Sequence, residues 1–169
     1  MKKFLISLAA LLAFAAPVSG AGIERGQKTF GIRAGYATIN HAPMAGIEFS
    51  YAFSPHFVLS PNVDYVFRNE RLDALLFNID YNGPWCLSHD GRLYFYHILG
   101  LNYASWSSRE PDVESSNDVT TRFNRIGLDF GAGFSFYVTP TLRLSLQGKF
   151  NWIKNYDTGL FNLGISYVF

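Results

Sequence analysis

Eight antiparallel strands closed into an all-β, up-and-down barrel that crosses a membrane, preceded by a cleaved signal peptide, is the fold class that this 169-residue sequence predicts. Three observations carry the prediction. Apolar side chains recur at every second position in eight separate stretches, which is the period of a strand with two unlike faces. The positions between them hold mostly Gly, Ser, Asn and Ala with isolated charges, not the dense Lys and Glu of a water-facing wall. The last eleven residues set Phe161, Leu163, Ile165, Tyr167 and Phe169 against Asn162, Gly164 and Ser166. A strand of that kind must be sealed against a partner, because an exposed apolar edge is sticky.

Composition bounds the function. The chain is 17% aromatic and only 16% charged, against about 25% charged in an average globular domain. Its formal net charge is +1, and loss of Lys2 and Lys3 with a signal peptide would leave −1, so no electrostatic case exists for a nucleic-acid partner. The single cysteine, Cys86, can form no intramolecular disulfide and lies too far from the N-terminus for lipid attachment; it is expected to pack. The remaining length suits one domain.

Lys2-Lys3, the apolar run Phe4–Val18 and the small residues Ser19-Gly20-Ala21 read as the charged, hydrophobic and cleavage regions of a signal peptide. Cleavage is expected after Gly20 or Ala21, giving a signal peptide over 1–21 and a barrel domain over 22–169. The apolar run is shorter than the roughly 18–20 residues a membrane-spanning helix needs. A chain that spans without such helices spans as strands, since lipid-facing backbone is satisfied only in helices and closed barrels.

The first strand alternates Phe30, Ile32, Ala34 and Tyr36 with Gly31, Arg33, Gly35 and Ala37, and Asn40-His41-Ala42-Pro43 breaks it. The second, Met44 to Phe53, sets Ile47, Phe49, Tyr51 and Phe53 against Glu48, Ser50 and Ala52, and Ser54-Pro55-His56 turns the chain tightly. In the third, Phe57, Leu59, Val63, Tyr65 and Phe67 oppose Ser60, Asn62 and Asp64; Pro61 lacks a ladder donor, which predicts a bulge or a missing hydrogen bond. After a charged loop from Arg68 to Asp73, Leu75, Phe77, Ile79 and Tyr81 alternate with Leu76, Asn78 and Asp80, where Leu76 departs from the pattern.

The segment Asn82 to Gly91 is expected to be a connection, on the strength of Gly83-Pro84 and Asp90-Gly91. The fifth strand, Arg92 to about Ala104, has less distinct faces, because Tyr94, Tyr96 and Ile98 share a row with Gly100 and Asn102. Ser105 to Arg122 is polar, lacks any apolar period and is expected to be a loop. In the sixth strand Ile126, Leu128, Phe130, Ala132, Phe134 and Phe136 alternate with Gly127, Asp129, Gly131, Gly133 and Ser135, and Thr139-Pro140-Thr141 supplies a second tight turn. The seventh sets Leu142, Leu144, Leu146, Phe150 and Trp152 against Arg143, Ser145, Gln147, Lys149 and Asn151; Lys154 to Thr158 precedes the closing strand.

Alternation alone does not say which face is inside, since a soluble barrel of lipocalin type has the same period with apolar residues inward. Composition decides it. The bulky row carries Tyr or Trp near strand ends (Tyr51, Tyr65, Tyr81, Tyr103, Trp152, Tyr167), as a lipid-facing band with aromatic girdles does, while small residues fit a narrow lumen. Strands of about ten residues tilted near 40° cover the apolar band of about 25 Å. With an even strand number and the N-terminus in the periplasm, the turns at Ser54–His56 and Thr139–Thr141 are periplasmic, and Arg68–Asp73 and Ser105–Arg122 face outward.

A closing strand with aromatic or aliphatic residues at alternate positions and a terminal Phe resembles that of bacterial outer-membrane β-barrels. The processed chain is similar to the small eight-stranded outer-membrane proteins typified by the OmpA transmembrane domain and OmpX. The resemblance implies a monomer in the Gram-negative outer membrane, with outer-membrane lipid, lipopolysaccharide and the barrel-insertion machinery as partners. Tyr167 and Phe169 would then be the assembly signal. Because the sequence stops at Phe169, the peptidoglycan-binding domain of the full OmpA plan is not expected.

The lumen row places Arg33, Arg143 and Lys149 among Glu48, Asp64, Asp80 and Asp129. An eight-stranded barrel is just wide enough for its inward side chains to fill it, and buried charges must be paired. A structural salt-bridge plug is therefore expected; the alternative is a gated ion or proton path. Ser88-His89-Asp90 has the composition of a catalytic triad, but three consecutive turn residues cannot converge as nucleophile, base and orienter. At the outer rim, His41, Glu70, Asp73, Ser105 and Ser107 form no motif of a lipid-modifying enzyme. Glu110, Asp112, Glu114 and Asp118 lack the spacing and Gly of a calcium loop and read as solvated surface. The sequence thus predicts a non-enzymatic outer-membrane barrel, without metal or cofactor, serving a structural or surface-interaction role in adhesion or envelope integrity. A narrow porin-like channel and an outer-membrane lipid-modifying enzyme are the alternatives. No extracellular ligand is indicated.

Overall fold

The computed structural model describes residues 23–169 apart from 70, 112–117 and 155. The expected signal peptide, Glu70, Asp112 and Glu114 therefore lie outside the described residues, as do the side chains of Glu110 and Asp118. Eight strands follow one another: β1 (Lys28–Ala37), β2 (Ala42–Ser54), β3 (Phe57–Asn69), β4 (Leu72–Cys86), β5 (Leu93–Pro111), β6 (Asp118–Thr139), β7 (Leu142–Trp152) and β8 (Thr158–Val168). Each pairs with its sequence neighbour, and β8 returns to β1, giving a closed barrel in the order of the chain. The seam runs antiparallel from Thr29↔Val168 to Ala37↔Leu160. Phe169 extends it, its N–H donating to the Lys28 carbonyl at 2.9 Å and its carbonyl accepting from the Lys28 N–H at 3.0 Å. Closure leaves no strand edge for another chain to pair with.

The faces follow the alternation. Ile32, Ile47, Ile79, Leu101, Leu128, Leu146 and Leu163 point outward and are exposed, while Arg33, Asp64, Asp80, Asp129 and Lys149 are buried. A barrel with large apolar residues outside and charges inside is inverted relative to a water-soluble one, and only lipid makes its outer wall favourable. The two-residue hairpin loops at β2–β3 and β6–β7 match the tight turns expected at Ser54-Pro55-His56 and Thr139-Pro140-Thr141. At Pro61 the ladder lapses. The β2 pairings step from Glu48↔Asn62 to Tyr51↔Leu59 with no shift of register between them, because proline offers no N–H. His41 and Arg71, at the tips of β1–β2 and β3–β4, take positive φ values of 50° and 69°. The His41 turn is held by Tyr36 Oη against His41 Nδ1 at 2.8 Å and by Asn69 Nδ2 donating to the His41 carbonyl at 3.1 Å.

Four expectations need correction. Arg68–Asp73 is not a loop throughout: β3 runs to Asn69, β4 begins at Leu72, and the two residues pair with each other. Ser105–Arg122 is not a loop: β5 runs to Pro111 and β6 begins at Asp118, with unbroken pairing from Ser105↔Asn124 to Pro111↔Asp118. Trp106 is buried in the lumen, but the described residues beyond it, Ser107 to Arg109 and Thr120 to Arg122, are half-exposed or exposed on both faces, so no apolar period is left, whereas the backbone ladder needs no apolar residues. Asn82–Cys86 likewise continues β4 and pairs with β5 from Asn82↔Ile98 to Cys86↔Tyr94. Pro84 is tolerated there because β3 has already ended, its last pair with β4 being Val58↔Asn82. Cys86 is exposed rather than packed.

Candidate functional site

The lumen is filled in three layers. At the end carrying the long hairpin, Met44, Val66, Leu76, Trp106, Ile153 and Leu160 form an apolar cap with several alanines. The Trp106 ring stacks on Tyr156 with centroids 5.8 Å apart. Leu76, which broke the outward alternation, belongs here. At the end carrying the termini, Ala52, Val58, Tyr94, Tyr137 and Val168 close around Ile23, whose N–H donates to Tyr94 Oη at 3.3 Å. Tyr94, Tyr96 and Ile98, the residues that blurred the faces of β5, are all turned inward and buried. A lumen capped by apolar layers cannot read as uniformly polar in sequence.

Between the caps lies the polar layer, and it brings together all seven charges expected in the lumen. Arg33 on β1 grips Asp64 on β3 through both carboxylate oxygens, its Nε lying 2.6 Å from Oδ1, and also donates to Asn62. Its Nη1 reaches Glu48 on β2 at 3.2 Å, and Glu48 accepts in turn from Arg143 on β7 at 3.0 Å. Lys149 on β7 sits 3.0 Å from Asp80 on β4 and 3.0 Å from Asp129 on β6. Asn62 joins the two groups, donating through Nδ2 to Asp80 at 2.8 Å.

One residue type in this network carries more than the sequence reading assigned to it. Asn62, Asn78 and Asn102, at inward positions of β3, β4 and β5, pass hydrogen bonds from strand to strand: Asn102 donates to Asn78, and Asn78 to Asn62 at 2.6 Å. Asn at lumen positions of three consecutive strands was the available signal. A charge pair inside a barrel is better held when its remaining lone pairs and protons are also occupied; these amides do so for Arg33, Asp64 and Asp80 Oδ2, whereas Asp80 Oδ1 and Asp129 Oδ1 accept no hydrogen bond among the described residues.

The other candidates do not converge on chemistry. Ser88 Oγ accepts from the N–H groups of Arg92 and Leu93, both at 2.9 Å, and thereby caps the β4–β5 turn. The hydrogen bond with Ser88, helped by the Arg92 N–H, holds the Asp90 carboxyl below the usual carboxylate range. Ser88-His89-Asp90 is thus turn chemistry. His41 bonds Tyr36 at its own turn, whereas Asp73, Ser105 and Ser107 line an outward-facing cavity with Arg68. Among the described residues, no three His, Cys, Asp or Glu side chains gather as a metal site. Tyr167 and Phe169 point outward, both more than half exposed, with rings stacked at 6.1 Å.

An outer wall made for lipid around a lumen filled with paired charges defines an integral outer-membrane barrel. The model of the outer membrane protein beta-barrel domain matches residues 6–169, and the chain belongs to that family. This places it in the outer membrane of a Gram-negative bacterium. No curated protein sequence matches the chain. Solved structures share its fold at low identity. The N-terminal β-barrel domain of Pseudomonas aeruginosa OprF is 14% identical, with a TM-score of 0.69 over 87% of this chain and 100% of that one. Ail, the attachment invasion locus protein of Yersinia pestis, is 14% identical, with a TM-score of 0.57 over 86% and 99%. Neisserial surface protein A is 16% identical, with a TM-score of 0.60 over 83% and 95%.

Proposed function

We propose that this protein is a non-enzymatic outer-membrane barrel with a structural or surface-interaction role, presenting the β5–β6 hairpin to the cell exterior. The observation that carries this reading is the lumen, occupied from cap to cap. A filled barrel offers no path for solute and leaves the outward hairpin, whose strands are 19 and 22 residues long, as the surface that can meet something. The narrow-channel reading is disfavoured by the same observation. The lipid-modifying reading is disfavoured because, among the described residues, no histidine or second carboxylate lines the cavity with Asp73, Ser105 and Ser107, and Asp73 is engaged by Arg68.

The signal peptide and the outward orientation are tested together. Mass analysis of the outer-membrane fraction is expected to find a chain beginning at Ala21 or Gly22, and protease added to intact cells is expected to cut only within the outer loops. An uncleaved chain in the inner membrane, or a hairpin protected on intact cells and cut only after lysis, would overturn the reading. Adhesion assays with cells carrying a hairpin-shortened variant then ask what that surface contacts.

Phe169 is proposed to act in assembly. Its removal deletes two seam hydrogen bonds and the last outward aromatic of the closing strand, so the expected result is a large loss of heat-resistant folded barrel in cells. Folded protein at normal yield from the shortened chain would remove the assembly role.

A further inference from the structure

We infer that the lumen holds one proton, shared between Asp80 on β4 and Asp129 on β6 across the glycine that separates them on β5. The charged layer divides into two groups. Arg33 and Arg143 face Asp64 and Glu48, two cations against two carboxylates, and balance. Lys149 alone faces both Asp80 and Asp129, with its Nζ 3.0 Å from Oδ2 of each. That group carries one negative charge too many. The side chains of Lys149 and Asp129 are 0% exposed and that of Asp80 3%, so neither water nor a surface counterion screens the surplus. Arg92, also buried, stands at the β4–β5 turn beside Asp90, at 3.5 Å.

Geometry places the proton. Gly100 on β5 pairs with Asp80 on one side and with Asp129 on the other. The two Cα atoms are therefore two strand spacings apart, roughly 10 Å, a gap that two aspartate side chains reaching toward each other close. Asp80 Oδ1 lies over Gly100, where a Cβ would collide with it, and the two carboxyl groups come within hydrogen-bonding reach of each other. Lys149 and Asn62 donate to Asp80 Oδ2, which leaves Asp80 Oδ1 and Asp129 Oδ1 accepting nothing among the described residues. Two ionised carboxylates have no hydrogen to give each other. One proton between these two oxygens cancels the surplus charge and gives both a hydrogen bond, donated by one and accepted by the other. A metal ion would need a void and several further oxygens, whereas a proton takes no room.

The groups that face the pair from the surrounding strands are Lys149 on β7, Arg33 on β1, Asn62 on β3 and the phenol of Tyr96 on β5. Arg33 is committed to Asp64 and Glu48, and a phenol carries no charge at neutral pH. No second cation is at hand, so the missing positive charge comes from solvent as a proton. The apolar caps on either side make it a held proton and not a path. In the unfolded chain both aspartates are ionised at neutral pH. Folding therefore takes the proton up, and the stabilisation it brings is greatest on the acid side and is lost as pH rises.

The experiment uses the full mature protein folded in phosphatidylcholine vesicles, with urea unfolding followed from about pH 6 to about pH 8 and infrared spectra of the folded protein at neutral pH. Asp129→Asn puts an amide N–H where the shared O–H stands. Relative to this variant, the wild-type unfolding constant is expected to rise about tenfold per pH unit while the proton is held, and Asp80→Asn should behave as Asp129→Asn does. The wild type is expected to show the C=O stretch of a protonated carboxyl, shifted in heavy water and lost in both variants. Asp73→Asn, at the start of β4 and outside the lumen, should keep both the band and the wild-type pH slope. The band is read on the wild type alone, so it decides the matter even when a variant does not fold. Absence of the band at neutral pH, or equal pH slopes in the wild type and folded Asp129→Asn, would overturn the proposal. So would wild-type stability that rises with sodium against choline chloride at fixed ionic strength, which would put a metal ion in the proton's place.

Discussion

Arg33→Ala is expected to destabilise the barrel by about 3–5 kcal/mol, one of the two largest effects of any single substitution considered for this chain. The side chain of Asp64 is 0% exposed and that of Arg33 3%, so removing the guanidinium strands a carboxylate where water cannot reach it. Glu48 is better placed, because it keeps Arg143 at 3.0 Å. The expected signature is therefore an asymmetric rescue. R33A/D64A, which removes both members of the fully buried pair, should recover most of the loss, whereas Arg33→Ala with Glu48→Ala should not. Arg33→Lys should also be costly, since an ammonium cannot serve Asp64, Asn62 and Glu48 through one planar fork. Urea unfolding in lipid vesicles provides the measurement. A loss below about 1 kcal/mol in Arg33→Ala would mean that Asp64 finds water or another donor, and the lumen could not then be the sealed polar layer described above.

The pairings behind this expectation were not legible in the sequence, although the members were. Alternation marks a residue as inward when it falls out of phase with the bulky outward row of its strand, which is why Arg33, Glu48, Asp64, Asp80, Asp129, Arg143 and Lys149 stand out. Partner choice depends on the stagger between strands, and the partners are remote: Arg143 meets Glu48 across 95 residues and Lys149 meets Asp80 across 69. No local pattern encodes a stagger. Strand limits show the same dependence on environment. β7 was read at its observed limits, Leu142–Trp152, because lipid on one side and a polar lumen on the other impose two unlike faces along it. The parts of β5 and β6 beyond Trp106 were missed because their described residues are half-exposed or exposed on both faces, so the two faces become alike. Tyr94, Tyr96, Ile98 and Leu76 blurred the pattern for a third reason: all four are buried in the lumen, Tyr94 and Leu76 within its two apolar caps, so an inward residue there is apolar too.

Trp106→Ala tests the caps. The indole is fully buried and stacked on Tyr156, so truncation leaves a cavity in the apolar layer and is expected to cost about 3–5 kcal/mol. Trp106→Phe should cost much less, because it keeps a ring against Tyr156 and removes an indole N–H that has no hydrogen-bond partner. The more discriminating measurement is electrical. Wild-type protein in planar bilayers is expected to show no steady conductance, and Trp106→Ala, despite its lost stability, should show none either. Beneath the cap an ion would still meet the layer in which Arg33, Lys149 and their carboxylates occupy the cross-section, and then the Ile23, Tyr94 and Tyr137 layer. Opening one of three seals in series leaves the path shut. A reproducible conductance that appears on truncating Trp106 alone would show that the two inner layers already admit ions, and the channel reading would replace the structural one.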